Sequence, residues 1–180
     1  HTDWLGFTKR RLSPGAGGTG DAPMRSVALV LCTATSMLLV LLAVPAAQGS
    51  GPRIDRGERA IIRAINHQRA RYGLRGLSGS TRLARAADQH SWEMLARDYF
   101  SHGDFVQRVR HYASFHALGE TIAMTSRCSP GRIVSMWMHS PPHRTVLLSR
   151  SYRRVGIGRR TGRLGLMRAC MVTADFGSRH

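Results

Sequence analysis

The chain has 180 residues and carries 27 Lys plus Arg against 10 Asp plus Glu, a formal net charge of +17 at pH 7. That length accommodates one domain with short extensions. Every basic residue except Lys9 is an arginine, and no aromatic-and-basic motif of a nucleic-acid module accompanies them, so the charge points to anionic cell-wall polymers or lipid headgroups and argues against specific nucleic-acid recognition.

Residues 1–23 are rich in Gly and Pro and lack an apolar period, which marks an upstream extension outside the fold. Met24 and Arg25 precede an apolar run from Val27 to Val44 and the small-residue exit Pro45-Ala46-Ala47-Gln48-Gly49. A charged start, an apolar centre and a small-residue exit make residues 24–49 a secretory signal peptide, removed on export. The competing reading keeps residues 27–44 as a membrane anchor, since roughly 20 apolar residues span a bilayer. Residues 50–180 then form the folded, secreted domain and hold 23 arginines against 8 acidic residues. Cys32 leaves with the signal. Cys128 and Cys170 remain as an even pair in an exported chain, which predicts a disulfide, stabilising by roughly 4 kcal/mol in the chain-entropy model. A catalytic thiol is the competing use.

Asp55 is placed to cap a helix running to Tyr72, with Ile54, Ile61, Ile65 and Tyr72 near helical spacing and Gly73 as its stop. Gly73 to Gly79 reads as a loop with two apolar pegs, Leu74 and Leu77. A second helix starts near Ser80 and turns Leu83, Ala87, His90 and Met94 to one face. The chain breaks at Ser101-His102-Gly103, and a short helix from Asp104 to about Tyr112 follows. Gly119 to Met124 fits a strand or a turn. Ser129-Pro130, a cap followed by a first-turn proline, opens the next helix, which Pro141 and Pro142 end. Two strands close the chain, Arg154 to Arg159 and Leu164 to Phe176, joined by a turn around Thr161-Gly162. Helices first and sheet last argue for an α+β layered domain.

Three short motifs carry chemistry: Phe100-Ser101-His102, Gly119-Glu120-Thr121-Ile122, and Trp137-Met138-His139-Ser140-Pro141-Pro142-His143-Arg144. Two imidazoles and a carboxylate are the groups that hold a divalent metal or exchange protons near neutral pH. His102, Glu120 and His143 are 18 and 23 residues apart, so only a folded domain brings them together.

With Asn66-His67-Gln68-Arg69, Tyr72-Gly73-Leu74, Ala87-Asp88-Gln89-His90-Ser91, Val155-Gly156-Ile157-Gly158 and Thr173-Ala174-Asp175-Phe176-Gly177, these motifs run in order from about Ile54 to Gly177. Together they resemble the CAP superfamily (cysteine-rich secretory proteins, antigen 5, pathogenesis-related 1), also called the SCP domain, in its bacterial branch. The resemblance implies a three-layer α-β-α sandwich with a central cleft, where family members place two histidines and two acidic residues and some bind zinc or another divalent cation. Carried over by residue, it makes His102, Glu120, Ser140 and His143 the cleft set and His102, His143 and Glu120 the metal set. Ser140 stands where the family has its second acid. Three ligands still suit an open zinc site of the kind that activates water, but the general base such a site needs is not evident.

Other pairings fail on chemistry. His139 and His143 are four apart, yet Pro141 and Pro142 forbid the continuous helix of a zincin pair. Ser140 and His143 lack the third, orienting group of a nucleophilic triad. His90 reads as a hydrogen-bonded core histidine, Trp137 and Met138 as core or cleft wall, and Arg153, Arg154, Arg159, Arg160 and Arg163 as a solvated face. The sequence thus predicts a monomeric secreted binding module for an envelope lipid, a cell-wall glycan or an extracellular protein. The alternative is a divalent-metal-dependent hydrolase using His102, His143 and Glu120.

Overall fold

The structure, a computed structural model, describes residues 53–178. The upstream extension and signal peptide expected over residues 1–49 lie outside the described residues. Among the described residues no helix is long and apolar enough to cross a membrane.

Helix α1 spans Arg56–Arg71 and opens on a reciprocal capping box. The Asp55 carboxylate accepts from Glu58 N at 2.7 Å and the Glu58 carboxylate from Asp55 N at 2.8 Å, which occupies N–H groups that a helix start leaves unpaired. Helix α2, Thr81–Ala96, begins at the Ser80 cap and buries Leu83, Ala87, His90 and Met94 as their spacing predicts. Helix α3 is Phe105–Tyr112, capped by Asp104. Helices α4, Pro130–His139, and α5, Pro141–Leu147, meet at Ser140. Strands β1, Ser78–Gly79; β2, Leu118–Thr125; β3, Arg154–Leu164; and β4, Met167–Gly177 form one sheet of order β1-β3-β4-β2. β1 pairs with β3 in parallel, and the other pairings are antiparallel.

Period-two alternation sorts the strands into two faces. Val155, Ile157, Val172, Ala174 and Phe176 join Ile61, Ile65, Ile133, Val134, Trp137 and Leu147 in the main core, under α1, α4 and α5. On the opposite face Ile122 and Met171 pack with Met94 of α2. The domain is therefore an α+β, three-layer α-β-α sandwich. The glycine alternation in Val155-Gly156-Ile157-Gly158 has a steric cause. A Cβ on Gly156 would lie 2.0 Å from Ala84 N, and one on Gly158 would lie 2.2 Å from the Ala87 carbonyl carbon. Helix α2 thus rests directly on the strand backbone, where Ser91 Oγ donates to Gly158 O at 3.1 Å.

Cys128 and Cys170 form the expected disulfide, with Cα atoms 5.4 Å apart. Other expectations change. Pro141 and Pro142 do more than end α4: they start α5, because proline fits a helix's first turn. Ser129 sits at the start of α4 without a side-chain cap bond. The loop from Gly73 to Gly79 contains the two-residue strand β1, and Gly119 to Met124 lies within β2. The β3–β4 turn falls at Gly165-Leu166, not Thr161-Gly162: Thr161 pairs with Cys170 inside the ladder, and Gly165 takes the positive φ (+55°) that the reversal needs. Part of the arginine face is paired, since Arg160 Nε donates to Asp88 Oδ1 at 2.6 Å and Arg159 reaches Asp55 at 3.2 Å.

Candidate functional site at the edge of the sheet

Strand β2 is an edge strand, and the motif residues gather along it from both helical layers. His102 lies in the loop between α2 and α3. That loop is held from beneath by buried His90, whose Nε2 donates to the Ser101 carbonyl at 2.9 Å. Burial above all, and the nearby Arg108 charge, hold the His90 pKa down, so its imidazole is neutral and serves as a strut.

His102 Nδ1 lies 2.7 Å from Glu120 Oε1. A carboxylate only accepts, so Nδ1 carries the proton in this contact and Nε2 is left for a ligand. The other Glu120 oxygen is taken by Arg108, from α3, in an ion pair whose side chains are 9% and 1% exposed. Arg108 also donates to the His102 carbonyl at 3.4 Å. One guanidinium thus grips both the backbone of His102 and the carboxylate that orients its ring.

His143 arrives from the opposite layer, in α5. The α4–α5 corner is fixed against β2 by the buried Trp137 indole, which donates to Ile122 O at 2.9 Å. The His102 and His143 rings lie 6.2 Å apart at a 50° tilt. Burial, and then the neighbouring His102, lower the His143 pKa, which favours the neutral ring at pH 7. Ser140 forms the corner itself: its N–H donates to Trp137 O at 3.3 Å and its carbonyl accepts from Arg144 N at 2.8 Å, while its hydroxyl does not cap α5. His139 points elsewhere and bonds the Ser135 carbonyl at 2.7 Å. A depression of about 510 Å³ lined by Pro141, Arg144, Thr145, Leu148 and Ser149 lies on α5 and includes neither His102 nor His143.

Two site residues are absent from the sequence-derived set. Arg108 is one. The other is Asp175, fully buried on β4 directly opposite Glu120 in the antiparallel register. The polar side chain that Asp175 faces is Glu120. Burial first, then the Glu120 charge and a side-chain hydrogen bond to Glu120, push its pKa well above the carboxylate range, with Arg108 opposing, which favours the neutral acid. Asp175 follows an apolar stretch of β4 and Arg108 lies six residues after the motif histidine, but neither position is distinctive without the fold.

As a direct third ligand Glu120 is not free in this geometry. Both Glu120 oxygens are engaged by His102 and Arg108, and a guanidinium already supplies the positive charge beside the carboxylate. Among the described residues no group of three or more His, Cys, Asp or Glu side chains is arranged to hold a metal ion.

The sequence profile of the cysteine-rich secretory protein family, CAP, matches residues 62–172. Two uncharacterised proteins of Bacillus subtilis are similar over 107 residues, 56% of this chain: YkwD at 27% identity and the membrane protein YlbC at 31%. The chain spans only 41% and 31% of their lengths. The crystal structure of an SCP-domain extracellular protein from Bacillus anthracis superposes with a TM-score of 0.56 at 26% identity, covering 68% of this chain and 40% of that one.

Proposed function

The chain belongs to the cysteine-rich secretory protein (CAP) family, and from that premise we propose that it is an exported binding module whose cleft reads its ligand with the two imidazoles of His102 and His143. The observation that carries this reading is the pairing of Glu120 inside the protein, with the Arg108 cation on one oxygen and a His102 hydrogen bond on the other. With the carboxylate satisfied inside the protein, the polar groups facing a ligand are the ring nitrogens, presented 6.2 Å apart between ring centres. Such a pair donates and accepts hydrogen bonds without adding a fixed charge. It suits a polar group on an envelope lipid, a cell-wall glycan or an exported protein. The apolar run 27–44 delivers the domain to that compartment, where the Cys128–Cys170 bond persists.

The test is thermal unfolding of the purified protein across a panel of envelope lipids and glycans at high ligand excess. A binder raises the melting temperature by mass action, and His102→Ala with His143→Ala removes that rise while leaving the unliganded disulfide and fold intact. A rise that survives the double substitution, or no rise with any member of the panel, refutes the reading. Zinc retained in stoichiometric amount and lost in the same double variant would instead revive the metal site.

A further inference from the structure

The β3–β4 hairpin reaches beyond the rest of the sheet. β2 ends at Thr125, opposite Cys170, and β1 touches β3 only at its start. From Gly162 to Ala169 the hairpin is therefore a two-stranded ribbon, an arrangement that is marginal unless braced. It is braced twice. The Cys128–Cys170 bond ties its base, and the Asp98 carboxylate at the end of α2 accepts from the Gly165 N–H in the turn. Arg163 donates to the Leu166 carbonyl at 2.8 Å and tightens the same turn.

The tip so fixed is apolar. Leu166 is 89% exposed and Met167 56%. Directly behind it Arg163 and Arg168 stand opposite each other in the ladder, both exposed, and exposed Arg97 precedes the Asp98 brace. Like charges paired across a ladder destabilise the free protein, and two large apolar side chains on a rigid projection gain nothing in water. An anionic lipid surface relieves both, because apolar side chains enter the headgroup boundary while guanidiniums one residue back meet phosphates. We infer that the β3–β4 tip, Leu166 and Met167 with Arg163 and Arg168, docks this domain on an anionic lipid bilayer. The hairpin lies apart from the His102–His143 cleft, so the inference stands or falls independently of the cleft's ligand.

Methionine oxidation reads the contact on the full chain. Dilute peroxide oxidises exposed Met167 and, on α4, exposed Met136 (38%), while fully buried Met94 and Met171 report an intact fold. Phosphatidylglycerol vesicles are expected to slow oxidation of Met167 by about fivefold or more and to leave Met136 unchanged, with no effect from phosphatidylcholine vesicles. Arg163→Glu with Arg168→Glu should abolish the protection while Met94 and Met171 stay unoxidised. Three results overturn the inference: equal rates with and without anionic vesicles, equal protection of Met136, or Met167 protection that rises with protein concentration alone. The second would place the contact elsewhere on the chain, and the third would make a second copy the occupant.

Discussion

Arg108→Met tests the charge arrangement at the site most directly. The substitution keeps much of the side-chain volume but strips Glu120 of its cation, leaving a carboxylate whose side chain is 1% exposed facing the buried acid Asp175. Breaking a buried ion pair by removing one partner costs about 3–5 kcal/mol, out of a total stability of about 5–15 kcal/mol for an ordinary domain. For a domain of this size the melting temperature at pH 7 falls by roughly 10–20 °C. The loss must depend on pH. A carboxyl that is protonated in acid needs no counter-charge, so the penalty of losing Arg108 shrinks as pH falls. The deficit relative to wild type is therefore small near pH 4 and full near pH 7. Asp175→Asn in the same background replaces one uncharged side chain by another and should leave most of the loss in place. Urea or thermal unfolding of wild type, single and double variants at both pH values decides it. An equal deficit at pH 4 and pH 7 would show that Arg108 acts by packing and that the electrostatic account is wrong.

Gly158→Ala places a methyl 2.2 Å from backbone atoms of α2; it is expected to destabilise by about 3 kcal/mol or more, and wild-type unfolding would refute the direct seating of α2 on β3. Arg69, 1% exposed, donates to the carbonyls of Arg75, Leu147 and Ser149 at 2.7–2.9 Å; Arg69→Met strands those carbonyls and should cost about 2–4 kcal/mol in chemical denaturation. His143, whose folded pKa is lowered by burial and by His102, contributes stability that is complete above the unfolded value and lost as pH falls below it. His143→Gln should therefore flatten the decline of melting temperature between pH 7 and pH 5, and an unchanged slope would refute the lowered pKa.

Much of the scaffold was legible because it is local. Asp55 and Ser80 announce their helices, the 3.6-residue spacing of Leu83, Ala87, His90 and Met94 gives the buried face, and the cysteine count gives the disulfide. What failed is decided by tertiary contacts. Glycine as a turn signal points to Thr161-Gly162, yet Asp98, far away in sequence, accepts from the Gly165 N–H in the turn the chain adopts. α5 was hidden because two prolines look like a stop unless the chain has turned a corner first. At the site, motif matching brought His102, Glu120 and His143 to one edge but said nothing of what lies behind the carboxylate. Arg108 and Asp175 carry no signature by themselves: one is an arginine among 26, the other an acid whose burial appears only when β4 is placed between β2 and β3.

The identity of that partner decides what the cleft is able to do. A carboxylate excluded from water needs a counter-charge, and a cleft with two imidazoles offers two ways to provide it: an ion from outside or a cation from the chain. Here the chain provides it. Arg108 comes from the same α3 segment that follows the His102 loop, so the cation arrives already tethered beside its target and adds hydrogen bonds to both Glu120 and the His102 backbone. Asp175 completes the balance by staying protonated, since a second buried negative charge would exceed what one guanidinium neutralises. The chemistry left at the surface is that of His102 Nε2 and the His143 ring, whose neutral form burial favours.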